Sequence, residues 1–151
     1  RRCVIRVAVV PAYIVALCQG VEGTTQVSFT QARVIKLSPS SISVRKGATA
    51  QITVQLGYWN GTNFININQS GVTITVKLTS KKAIGQIEYG DPPPLIGLPE
   101  KPITVTTNAN GQVTITFRAS NSVTGTGTIT AEATGLTMYP PTGVSVEVTA
   151  K

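Results

Sequence analysis

Val72, Ile74, Val76 and Leu78 alternate with polar residues without a break, and this period of two constrains the fold most. Successive side chains of a strand point to opposite faces of its sheet, so such a run buries one face and wets the other. Ile52, Val54 and Leu56 repeat the pattern. Turn residues punctuate it at Ser38-Pro39-Ser40-Ser41, Arg45-Lys46-Gly47 and Asp91-Pro92-Pro93-Pro94. Strands are predicted over residues 27–37, 42–44, 48–56, 64–67, 72–78, 84–89, 103–106, 113–117, 128–133 and 144–148, with residues 57–62 as a loop. Short, evenly spaced strands with turn signals between them predict an all-β chain folded as a two-sheet β-sandwich. Asn110-Gly111 lies between two alternating runs and predicts a hairpin joining 103–106 to 113–117, since both residues accept positive φ.

Composition excludes several classes. Charged residues make up 13% and aromatics 5%, and the apolar content is mostly branched, the opposite of a disordered chain. The net charge of +7 is scattered, apart from Arg1, Arg2 and Arg6 at one end and Lys81-Lys82 at a turn. With no basic stripe interleaved with aromatics, nucleic acid is not an expected partner. Histidine is absent, which removes the commonest general base and metal ligand together. The carboxylates Glu22, Glu88, Asp91, Glu100, Glu132 and Glu147 form no dyad spacing and no calcium loop. A pairing of Asp91 with Glu88 around calcium is weighed against a solvated proline-rich loop, and the loop is favoured. No enzyme, cofactor or metal is expected.

The first twenty residues, RRCVIRVAVVPAYIVALCQG, differ from the rest: apolar, β-branched, charged at the head and carrying both cysteines. Pro11 cannot donate a ladder hydrogen bond, so a strand through it must break, bulge or lie at an edge. Arg6 and Pro11 interrupt the run, which is too short for the ~20 apolar residues of a membrane-spanning helix. The absence of an initial Met leads us to expect that a leader has been removed and that this segment belongs to the mature protein. Residues 1–26 then form an apolar extension and joint, with Gly20–Thr25 as the flexible part, and residues 27–151 the sandwich.

The stretch Thr106-Thr107-Asn108-Ala109-Asn110-Gly111-Gln112-Val113-Thr114-Ile115-Thr116, followed by Gly127-Thr128-Ile129-Thr130-Ala131-Glu132-Ala133 and Val144-Ser145-Val146-Glu147-Val148, resembles the C-terminal half of a bacterial Ig-like domain of the invasin and intimin type. Leu37-Ser38-Pro39-Ser40-Ser41-Ile42-Ser43-Val44-Arg45-Lys46-Gly47 is similar to the opening of such modules. The likeness covers about residues 34–151 and is interrupted by an insert at 84–102. It implies an immunoglobulin-like two-sheet sandwich, extracellular and structural or adhesive, with no catalytic site. It says nothing of the N-terminal extension.

An exposed apolar strand invites aggregation and has to be covered. Either it pairs with its own domain, or it is donated to a neighbour, giving main-chain hydrogen bonds and apolar contacts. Head-to-tail donation does not close and builds an open fibre. In layout the chain resembles the donor-strand pilins and the thread-like filament subunits of archaea. We expect a surface filament of copies of this chain, in adhesion or biofilm, with Val4, Ile5, Val7, Val9, Val10, Ile14, Val15 and Leu17 as subunit contacts. The alternative is a monomeric secreted module that recognises a cell-surface glycan or protein through residues 58–64. Cys3 and Cys18 are disulfide candidates, within a hairpin turning near Val10-Pro11 or between subunits. Asn60-Gly61-Thr62 and Asn68-Gln69-Ser70 make Asn60 and Asn68 glycosylation candidates. Trp59, with Tyr58, is expected in the core or at a subunit contact before a sugar platform.

Overall fold

A computed structural model describes residues 33–150 in full, together with the backbone of three N-terminal strands at 3–9, 12–18 and 27–28. The chain divides into two compact units, 1–32 and 33–151. The division falls after the expected joint, whose residues 20–25 lie outside the described residues, as do Val10 and Pro11.

In the first unit, β1 (Cys3–Val9) and β2 (Ala12–Cys18) pair antiparallel from Cys3↔Cys18 to Val9↔Ala12. The apolar run is thus strand, as its β-branching predicts, but in two pieces that end and restart on either side of Val10-Pro11. β3 (Val27–Ser28) pairs with β2, giving the order β1-β2-β3.

The second unit runs β4 (Arg33–Ser38), β5 (Ser41–Arg45), β6 (Thr49–Trp59), β7 (Phe64–Asn66), β8 (Thr73–Ser80), β9 (Gly85–Tyr89), β10 (Leu95–Gly97), β11 (Ile103–Thr106), β12 (Gln112–Ala119), β13 (Gly125–Glu132), β14 (Thr137–Tyr139) and β15 (Val144–Thr149). One sheet has the order β10-β9-β12-β6-β4-β14, with β7 also on β6; the other is β11-β8-β13-β15-β5. This is an all-β, immunoglobulin-like two-sheet sandwich. Pairs are antiparallel except β4–β14 and β5–β15. The chain changes sheet between β4 and β5, across the Ser38-Pro39-Ser40-Ser41 turn.

Alternation decides which face is inside. In β5 and β15, Ile42, Val44, Val144, Val146 and Val148 are buried while Ser41, Ser43, Arg45, Ser145 and Glu147 are exposed. Both sheets contribute to one core in which Phe117, Ile52, Ile74, Leu78 and Ile115 are inaccessible to solvent. Each such side chain contributes ~1.5–3 kcal/mol relative to exposure.

The predicted hairpin does not form. β11 pairs with β8, and β12 with β6 and β9, so the Asn110-Gly111 segment carries the chain from one sheet to the other. The reason is burial: Ile103 and Val105 of β11 and Val113, Ile115 and Phe117 of β12 all face the same core from opposite layers. The corner is held locally. Asn108 Oδ1 accepts from the Asn110 and Gln112 amides at 2.9 and 3.1 Å, and the Gly111 amide donates to the Asn108 carbonyl at 2.9 Å. Gln55, buried on the outer side of β6, donates from Nε2 to the carbonyls of Leu56, Asn110 and Gly111.

Gly111 has φ 71°, and a Cβ there would run into the Ile67 carbonyl oxygen; Gly71, at φ 81°, has open space around it. Gly71→Ala therefore meets only the left-handed backbone penalty, about 1 kcal/mol. Gly111→Ala adds the clash and should cost about 3 kcal/mol in urea unfolding. Equal losses at the two positions would show that the corner yields.

Candidate functional site

The insert at residues 84–102 becomes β9 and β10, which extend the first sheet outward. β9 joins β12, and β10 lies on β9 with Leu95↔Tyr89, Ile96↔Glu88 and Gly97↔Ile87 in register. Among the described residues nothing pairs with the far side of β10. Leu95, Ile96 and Leu98 are 47%, 48% and 48% exposed.

This strand is firmly placed. A Cβ on Gly97 would stand 2.7 Å from Ile87 Cγ1 and 3.0 Å from Ile103 Cγ2, so only glycine lets the backbone settle so close to the core. Past Pro99, the Glu100 amide donates to the Leu78 carbonyl at 2.7 Å, and Glu100 Oε1 accepts from the Ser80 amide at 3.1 Å. Glu100 adopts φ 68°, a left-handed conformation that side chains avoid unless the surroundings fix it.

Beside β10 a groove of ≈ 580 Å³ lies over the outer face of β9 and β12, lined by Glu88, Asp91, Pro92, Thr114, Thr116 and Arg118 among others. Arg118 Nε and Nη2 reach the two oxygens of Glu88 at 2.9 and 3.3 Å, and Gln86 Nε2 donates to Glu88 Oε2 at 2.6 Å. These hydrogen bonds, Arg118 first, hold the Glu88 carboxyl below its ordinary value and raise the Arg118 guanidinium. Glu88 is committed to Arg118, so it makes a poor calcium partner for Asp91. Among the described residues no three His, Cys, Asp or Glu side chains gather around a point where a metal ion could sit.

A second surface lies at the end of β6. Gly57, Tyr58 and Trp59, expected in a loop, continue the strand, and the turn to β7 spans only residues 60–63. Asn60 Oδ1 closes that turn by accepting from the amides of Thr62 and Asn63 at 2.9 and 2.8 Å. A Cβ on Gly57 would overlap the Phe64 ring, which occupies that space. Trp59 packs edge-on to Phe64 and to Tyr139, both at 5.3 Å between centroids, with Lys36 Nζ 5.1 Å from Phe64 and 5.8 Å from Trp59. Trp59 remains 40% exposed and Tyr139 44%. The expectation of a core position for Trp59 is thereby corrected: odd-numbered residues of β6 point away from the core, where Ile52, Val54 and Leu56 sit.

Of the residues singled out in the sequence, Val4, Ile5, Val7 and Val9 fall in β1 and Ile14, Val15 and Leu17 in β2; Val10 lies outside the described residues. Cys3 and Cys18 are placed opposite one another. Asn68 is exposed between β7 and β8, and Asn60 is half-buried in its turn. Sequence reasoning missed β10, although Leu95-Ile96-Gly97-Leu98 between prolines was a visible signal. No protein-family model matches the chain, and no curated protein does. No helix among the described residues is long and apolar enough to cross a membrane.

Because Glu88 binds its proton less readily folded than unfolded, its contribution to stability is present above its ordinary value of 4.5. It is lost as pH falls through the lower folded value. Arg118→Ala should return the Glu88 titration toward 4.5 in an NMR pH series and lower stability at pH 7 more than at acid pH. An unmoved Glu88 titration would remove the pair's assigned role.

Proposed function

We propose that this chain is a structural subunit of an extracellular, pilus-like filament, assembled head to tail by donating its N-terminal strand to a neighbouring copy, and serving adhesion or biofilm at the cell surface. The observation that carries this reading is the division of the chain. Residues 33–151 form a compact sandwich with a core of their own, and the apolar strands β1 and β2 belong to a separate unit. The first unit thus brings two apolar strands that need cover, and strand addition to another copy would supply it. The kinship with bacterial Ig-like domains of the invasin and intimin type belongs to the same proposal, supported by the sandwich alone. No catalytic step is part of it.

A disulfide between Cys3 and Cys18 is included. Residues directly opposite in an antiparallel pair have Cα atoms ~4.5–5.5 Å apart, inside the ~4.4–6.8 Å that a disulfide spans. Thiol titration of the denatured, unreduced protein should then find no free thiol, and two titrating thiols would rule the bridge out. A second reading, a monomeric module binding a cell-surface glycan, is favoured by the exposed Trp59 and Tyr139 rings, since sugars stack on such faces.

Electron microscopy of the full chain and of a chain lacking residues 1–20 separates the two. The full chain should form fibres, and the truncated chain single particles with an unchanged sandwich melting transition. A truncated chain that still polymerises removes strand donation. A full chain that stays single and loses glycan binding on Trp59→Ala selects the second reading.

A further inference from the structure

We infer that the open side of β10 is the acceptor for β1 of a second copy of this chain, a contact that rests on the filament reading above and names its docking site. The edges of the sandwich differ in what they show to solvent. β5 exposes Ser41, Ser43 and Arg45, and β11 exposes Thr104 and Thr106. β14 exposes Thr137 and a Tyr139 already packed on Trp59. β10 shows two large aliphatic side chains, Leu95 and Ile96, with Leu98 beside them. An apolar edge of this kind is a template for strand addition.

β1 has the matching properties. It is the outer strand of its own sheet, with one side unpaired among the described residues. Its sequence is Cys3-Val4-Ile5-Arg6-Val7-Ala8-Val9, apolar but for one arginine. The two edges also match in charge. Residues 84–102 hold three carboxylates, Glu88, Asp91 and Glu100, against one lysine, Lys101, in a chain of net charge +7. Glu88 is engaged by Arg118 and one Glu100 oxygen by the Ser80 amide, which leaves Asp91 ahead of β10 in the sequence and the negative charge of Glu100 beyond it to meet the cations Arg1, Arg2 and Arg6. Opposite charges of this sort steer the encounter and fix its register. Pro94 and Pro99 bound the acceptor, since neither can donate to a ladder, so the docked strand is read by residues 95–98 alone. Each copy carries one such donor and one such acceptor, and the two are different segments, which makes the contact heterologous and the polymer open-ended.

The test uses the full chain carrying Leu95→Lys and Ile96→Lys, and separately Leu98→Lys, in case the double variant unfolds. All three side chains are about half exposed, so the sandwich melting transition should stay within a few degrees of the parent. Fibre mass by sedimentation should fall about tenfold or more, because the introduced charges meet apolar strand and arginine. Added substoichiometrically to the parent, the double variant keeps its donor but offers no acceptor, and should shorten fibres. Folded variants that assemble like the parent overturn the β10 assignment; if truncation of residues 1–20 still abolishes fibres, the filament reading survives it. A parent that forms no fibres at any concentration overturns both.

Discussion

A single layer of branched apolar side chains between two sheets is the constraint on which the rest of this sandwich depends. Neither sheet can stand alone, because ordering each residue costs ~1–2 kcal/mol in backbone entropy and a ladder in water returns little of it. Burial of Ile35, Ile52, Ile74, Leu78, Ile115, Phe117 and Ile129 from both sides offsets that cost. The outer faces are then free to be polar, and they are: Thr73, Thr79, Thr104, Thr106 and Thr126 are exposed. Threonine suits this duty because its branched Cβ favours the strand while its hydroxyl faces water.

That layer also explains what could be read from the residues and what could not. Period-two runs located the core strands, since which side chains are buried is a local property of the pleat. Pairing is not local. Asn110-Gly111 had the chemistry of a tight hairpin, yet strands β11 and β12 both needed the shared core and took opposite layers. The parallel pairs β4–β14 and β5–β15 join residues near the two ends of the unit, and no short-range signal announces them. The core position weighed for Trp59 fails for a similar reason. Its outward position follows from counting along β6 from Leu56, but only once Gly57 is known to continue the strand under Phe64. The candidate contacts of β1 and β2 were legible as strand from their branching, whereas the Cys3↔Cys18 register required the pairing itself.

Edges are where a sandwich is most exposed to unwanted pairing, and this one guards them unevenly. β14 is three residues long and runs into Pro140-Pro141, β11 follows Pro102, and β5 turns serine and arginine outward. Short strands, prolines and charge are the usual means of blunting an edge. β10 has the prolines and the shortness but not the polarity.

The conformation of β10 makes that exception informative. Leu95 and Gly97 share one face of the strand and Ile96 the other, yet Leu95 and Ile96 are equally exposed and only Gly97 is buried. A larger residue in place of Gly97 would push the strand away from Ile87 and Ile103, and a polar residue in place of Leu95 or Ile96 would improve solubility without disturbing anything buried. The strand is thus drawn in tightly by a glycine and tied beyond Pro99 by the Glu100–Leu78 hydrogen bond, while both faces ahead of Gly97 stay apolar. Rigid placement of this edge reduces the conformational freedom that β10 itself would lose if a strand docked there, as the proposed contact requires.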